Sequence, residues 1–207
     1  MMMLNERNWN SLNKNLKKKK ITVIDNFLKD QIAFTLQQRM VHTIEFDKIY
    51  NRYGSMLYNR SDNLTNQLAT ELEENIPCLK NSFVRAWAFI YDNKGAGVKL
   101  HADPSQVNIN IWVTPNKSIN NPQLNGLNIF NIKPPKNWTR KKWNTSPELV
   151  SRYIKTKNKK PFNIKYKYNR AVFFDGALFH ASDETDMKEG IENQKVSYTM
   201  LFGRSLE

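Results

Sequence analysis

Along the first third of the chain apolar residues recur at helical spacing, and along the rest they alternate with polar ones. In "KDQIAFTLQQRMV" Ile32, Leu36 and Met40 fall on one helical face. In "SDNLTNQLATELEENIP" Leu64, Leu68 and Leu72 stand four apart, with Ser61 as N-cap and Pro77 as the stop. "ITVIDNFL" reads as a strand over 21–25 running into a turn, and residues 44–60 follow neither period. From about residue 82 a period of two takes over, as expected where side chains alternate across a sheet. "SFVRAWAFIYDN" sets Trp87, Phe89 and Tyr91 on one face and Ala86, Ala88 and Ile90 on the other. "QVNINIWVT", "NGLNIFNIK", "FNIKYKYN", "RAVFFDG" and "KVSYTMLFG" read as further strands. An insertion at about 134–160 carries one short helix, about Pro147–Thr156, expected on the solvent side.

Many short strands closely spaced predict a sandwich or barrel: a mainly β fold with N-terminal helices. The expected organisation is a basic polar arm over 1–20, either loosely ordered or a helix that frays, then a single domain over 21–207. That domain divides into a helical part, 21–80, and a β core, 82–207.

Composition narrows this picture. A chain of 207 residues suits one domain, and its 40% hydrophobic content suits a packed core. No apolar run is long enough to span a bilayer, and the start of the chain lacks the apolar stretch of a signal peptide. Cys78 is the single cysteine, which excludes an intrachain disulfide and fits a reducing, cytoplasmic location. The net charge of +13 favours nucleic acid, an anionic membrane surface or an acidic partner. The competing reading is that the lysine runs at 17–20 and 155–160 are solvated loops or a tail.

Candidate chemistry concentrates in "KLHADPSQVNINIWVTPN". His101 and Asp103, two apart on an extended segment, point to one side. Two other histidines exist. His42 closes the early helix, whereas His180 ends an apolar strand and turn in "NRAVFFDGALFHASDE". His101, Asp103 and His180 make a 2-His-1-carboxylate set, which leaves adjacent coordination positions open and suits Fe(II), a chelating cosubstrate and O2. A His-x-Asp pair alone occurs by chance; its weight here comes from the β-rich context. Downstream, in "NQKVSYTMLFGRS", Lys195, Ser197 and Thr199 share a face. Turned into a barrel they bind a carboxylate; turned outward they are solvated.

These blocks together resemble the Fe(II)/2-oxoglutarate-dependent dioxygenases, and within them a prolyl-hydroxylase-like branch often fused to tetratricopeptide repeats, for which this chain leaves no room. The resemblance covers "WAFIYD", "HAD", "VNINIWVTP", "NGLNIF", "NRAVFFDGALFHAS" and "EGIENQKVSYTMLFGR", roughly residues 84–204. It implies a double-stranded β-helix (jelly-roll, cupin-like) core with iron held by His101, Asp103 and His180. It places Lys195 where the family usually has an arginine for the distal carboxylate of 2-oxoglutarate, with Ser197 as its hydrogen-bonding partner. Lysine keeps the charge without the bidentate fork. Asn125–Gly126 replaces a common Gly-Gly, and "DGALFH" a more usual "NSDLFH", both as loop changes. The implied reaction is hydroxylation with release of succinate and CO2. Tyr91, Asn108 and Asn110 are further candidates for cosubstrate contact, although Trp112 shares the parity of the two asparagines, so one of the three is expected out of place. The substrate is a protein side chain, a nucleic acid or a small molecule; Trp138, Trp143 and Tyr153 either stack on bases or pin the insertion to the barrel. The alternative is a non-enzymatic jelly-roll module with a basic surface for nucleic acid or an acidic partner.

Overall fold

A computed structural model describes residues 2–43, 46, 48–50, 54–58 and 63–204. In chain order the elements are α1 (Trp9–Lys17), β1 (Thr22–Ile24), α2 (Asp30–Val41), β2 (Lys48–Tyr50), β3 (Gly54–Tyr58), α3 (Asn63–Asn75), β4 (Phe83–Ile90), β5 (Lys94–Gly95), β6 (Ser105–Trp112) and β7 (Leu127–Ile129). There follow α4 (Arg140–Asn144), α5 (Pro147–Thr156), β8 (Phe162–Ile164), β9 (Arg170–Phe174), β10 (His180–Ser182), β11 (Thr185–Asp186) and β12 (Val196–Arg204). The Ser61 cap lies outside the described residues.

Among the described residues seven strands form one large sheet in the order β1-β9-β6-β12-β4-β3-β2, and a three-stranded sheet, β10-β7-β8, forms a second. All pairings are antiparallel, so the architecture is the expected jelly-roll with helices laid on one side.

The alternation of residues decides which face does what. Ala86, Ala88 and Ile90 of β4, Ile109 and Ile111 of β6, and Tyr198, Met200 and Phe202 of β12 join one buried cluster with Leu12, Leu36, Met40, Leu68 and Leu72 of the helices. That is the outer face, sealed by the helical layer. The opposite residues, among them Trp87, Phe89, Asn108, Asn110, Trp112, Ser197 and Thr199, face the small sheet. Cross-strand register sets them in rows: Trp87, Thr199 and Asn110 in one, Phe89, Ser197 and Trp112 in the next. Trp112, Asn108 and Asn110 all turn inward, so none is out of place; Trp112 packs with Leu127, Ile164 and Phe174 between the sheets.

Two expectations need correction. Residues 1–20 are a packed element rather than a loose arm: Met3 and Leu4 are buried, and their backbone N–H groups donate to the Glu71 carboxylate at 2.7 and 3.0 Å. Leu12 and Leu16, four apart on α1, supply the apolar stripe that lysine-rich composition obscured. The insertion is likewise no solvent-side appendage. Trp143, Val150 and Ile154 are buried against Ala102, Ile132 and Phe179, and the Asn144 amide donates to the Ala102 carbonyl at 2.8 Å. Trp138 and Tyr153 pack on the Phe179 ring and on each other, which pins the insertion to the barrel.

Candidate metal centre and adjoining cavity

His101 and His180 come from segments 79 positions apart but face each other as an isolated antiparallel bridge. The His101 N–H donates to the His180 carbonyl at 3.0 Å, and the reverse bond is 2.8 Å. This pairing puts both rings on one side, with centroids 4.3 Å apart. Each ring is oriented by its own backbone: His101 Nδ1 lies 2.7 Å from the Lys99 carbonyl, and His180 Nδ1 lies 2.8 Å from that of Leu178. A carbonyl only accepts, so both Nδ1 atoms carry the proton and both Nε2 atoms are left with a free lone pair. These turn toward Asp103: His180 Nε2 is 3.4 Å from Oδ2, and His101 Nε2 is 3.7 Å from Oδ1. Ligating atoms of the three residues lie within 4.8 Å of one another.

The carboxylate is held from behind. Asn108 Nδ2 donates to Asp103 Oδ2 at 2.7 Å, and Ser105 Oγ donates to Asn108 Oδ1. The Asp103 N–H donates to the Gly176 carbonyl at 2.8 Å. Gly176 is required there: a Cβ would sit 2.0 Å from Ser105 Oγ and 2.6 Å from Asn108 Oδ1. The "DGALFH" segment is therefore more than a loop variation, because it sets the backbone of one ligand. Burial pushes the Asp103 carboxyl up, but His180 and His101, when they take up a second proton on Nε2 in the metal-free site, and the Asn108 amide hold it down at about 2. Burial and the neighbouring His180 lower the His101 pKa, which keeps its imidazole neutral and able to ligate. Asn108 thus acts on Asp103 and does not border the cavity. Replacing Asn108 by leucine, close in volume, removes the amide; metal affinity then falls about 10–100-fold. Competition titration with Mn(II) measures this, and an unchanged affinity means the amide does not position Asp103.

Beside the triad opens a cavity of about 610 Å³. Its lining includes His101, Asp103, His180, Tyr91, Asn110, Ser182, Ser197 and Thr199. Thr199 Oγ1 donates to Asn110 Oδ1 at 2.8 Å, and Tyr91 and Ser182 join through their hydroxyls at 3.3 Å. Burial raises the Tyr91 phenol to about 12, so it stays a neutral donor. Lys195 shares the inward parity but does not border the cavity. It is 1% exposed, with Nζ 4.2 Å from the Tyr91 ring centroid and 5.9 Å from those of Trp112 and Tyr166. Burial drives its pKa down to about 7 against the opposing charge of Asp183. Among the described residues no carboxylate lies within ion-pair distance of it.

His42 caps the end of α2, remote in sequence from the barrel ligands. Arg85, Trp87, Ser182 and Leu201 also line the cavity and were not singled out from the sequence. Their parity with Tyr91 and Thr199 was the available signal for three of them; Ser182 carried none.

No family model matches the chain, and no curated protein is similar to it in sequence. Solved structures are similar in fold. A prolyl-4-hydroxylase from Pseudomonas putida shares 12% identity at a TM-score of 0.59, covering 98% of each chain. HygX from Streptomyces hygroscopicus, determined with nickel and 2-oxoglutarate bound, shares 11% at a TM-score of 0.63, covering 96% of this chain and 88% of its own. The non-heme α-ketoglutarate-dependent carbocyclase SnoK of nogalamycin biosynthesis shares 7% at a TM-score of 0.69, covering 98% and 86%. The chain has the fold of these oxygenases.

Proposed function

We propose that this protein is an Fe(II)- and 2-oxoglutarate-dependent oxygenase of the hydroxylase type, with O2 as the oxidant. The observation that carries the reading is the convergence of two Nε2 lone pairs and one ionised carboxylate at the edge of a cavity. That donor set, all on one side of the site, fits a metal with open positions.

When bound, iron would let O2 take two electrons from 2-oxoglutarate, giving succinate and CO2, and two from a substrate C–H bond, with one oxygen atom going to each product. The chain's own residues do the rest. His101 and His180 are held as Nδ1–H tautomers, and Asp103 stays anionic without competing for a proton. Ser197, Thr199, Asn110 and Tyr91 offer hydroxyl and amide groups along the cavity for an oxygen-rich cosubstrate. Lys195, the inward position next to Ser197, would supply the charge for its distal carboxylate if its ammonium reached past the Tyr91 ring. The packed insertion covers the cavity from one side through Asn144, Thr145 and Pro147, which limits water. A reducing cytoplasm suits both Fe(II) and the lone Cys78.

The full chain, given Fe(II) under air, is expected to convert 2-oxoglutarate to succinate, and Asp103→Ala to lose that turnover. Protein that holds no iron and forms no succinate leaves the non-enzymatic module as the better account. Nucleic acid gains little support as a substrate, because Trp138, Trp143 and Tyr153 are engaged with Phe179 or buried. No helix among the described residues is long and apolar enough to cross a membrane.

A further inference from the structure

The inward face of the large sheet carries a second cation, Arg85, which the functional reading does not use. On β4 it stands opposite Leu201 of β12, and Leu201 stands opposite Asn108 of β6, the residue that holds Asp103. Arg85 is half-buried and lines the same cavity as the triad. Among the described residues no carboxylate pairs with it. Among the described residues two acidic side chains border the cavity: Asp103 belongs to the triad, and Glu148 lies 3.9 Å from Lys99. A half-buried guanidinium that meets no carboxylate among the described residues is placed to receive one from a ligand in the cavity.

That anion is not the cosubstrate's distal carboxylate. The Tyr91 N–H bonds the Lys195 carbonyl at one end of the β4–β12 ladder, and Arg85 faces Leu201 at the other. Leu201 and Lys195 are six residues apart, roughly 20 Å along a strand. A molecule as short as 2-oxoglutarate, chelated at the triad, does not reach both. Apolar surface adjoins Arg85: Leu201 stands opposite it and Trp87 follows it on the same face of β4, and Leu100 and Pro104 also border the cavity. The volume is that of a small-molecule site.

We infer that Arg85 is a substrate-anchoring residue, receiving the carboxylate or phosphate of a small acidic substrate whose apolar body lies over Trp87 and Leu201 toward the metal. The inference rests on the proposed function for the direction of the cosubstrate. Anchoring by a fork of parallel N–H donors fixes orientation as well as affinity, which is what selects one C–H bond among several.

The test uses matched probes on the metal-free full chain: phenylacetate and phenyl phosphate against the neutral 2-phenylethanol, each followed by calorimetric titration. The native protein is expected to favour at least one acid over the alcohol by about tenfold or more. Arg85→Gln erases that preference, and Lys195→Met keeps it. Which acid is favoured tells carboxylate from phosphate. A native protein with no preference overturns the inference. So does a preference that survives Arg85→Gln or disappears in Lys195→Met. Titration of 2-oxoglutarate into the Mn(II)-loaded Arg85→Gln variant separates the two readings: unchanged affinity keeps Arg85 for the substrate, whereas a loss there gives Arg85 to the cosubstrate and overturns both assignments.

Discussion

Replacing His180 by alanine abolishes iron and manganese binding while the far-UV circular dichroism of the sheets is retained. The backbone pair that joins His180 to His101, at 2.8 and 3.0 Å, involves no side-chain atom and survives the substitution. What is lost is the Nε2 donor 3.4 Å from Asp103 Oδ2, and with it one of three ligands. The ring also packs edge-on against Phe174, with centroids 4.9 Å apart, and its Nδ1–H satisfies the Leu178 carbonyl. The variant is therefore less stable by about 1–3 kcal/mol, a modest cost for a folded domain. Metal stoichiometry after dialysis, read beside a thermal melt, checks both halves. His42→Ala, at the end of α2, is the control and keeps its metal. Full occupancy in His180→Ala removes the triad from consideration.

Replacing Lys195 by methionine weakens 2-oxoglutarate binding by roughly one to two decades and leaves metal binding intact. The figure is that of one charge-assisted hydrogen bond, about 1.5–3 kcal/mol. Metal binding is spared because Lys195 touches the Tyr91, Trp112 and Tyr166 rings rather than the triad. The fold is spared because the thioether suits an aromatic cage and removes a cation that burial disfavours. pH supplies an independent check. The Lys195 ammonium in the free site has its pKa lowered to about 7, and a bound carboxylate favours the charged form. Affinity for 2-oxoglutarate therefore falls as pH rises through about 7, because the proton must be restored on binding. Lys195→Met loses this dependence, and Lys195→Arg, always charged, binds across the range. Arg204→Met changes nothing: Arg204 is exposed at the far end of β12, opposite Ser105 and beyond a bulge at Leu201/Phe202. Titrations of the Mn(II)-loaded chain between about pH 6 and about pH 9 measure all four. A loss in Arg204→Met with none in Lys195→Met means that the final strand is in another register.

Local periodicity accounts for much of this molecule. The four-residue spacing of Leu64, Leu68 and Leu72 makes α3, and the two-residue alternation of "SFVRAWAFI" makes β4 with Ala86 and Ala88 outward and Trp87 and Phe89 inward. The triad was legible for the same reason: His-x-Asp on an extended segment already fixes two ligands on one side. β2 and β3 were not legible, since residues 44–60 carry no clear period and pair only because β3 meets the edge of β4.

The sequence by itself determined most of the elements, which residues of each share a face, and His101 and Asp103 as a candidate ligand pair, because each rests on the chemistry of neighbours a few positions apart. Tertiary structure decided what those faces meet. It turned Asn108 from a cosubstrate candidate into the support of Asp103, because Gly176 lets the two strands close on that amide. It buried Lys195 behind Tyr91, folded the polar first twenty residues onto Glu71, and closed the insertion over the cavity through Trp143. It also set Arg85 in the lining of the cavity that the triad borders. Each of these depends on contacts between residues tens to more than a hundred positions apart, and such contacts leave no period in the chain.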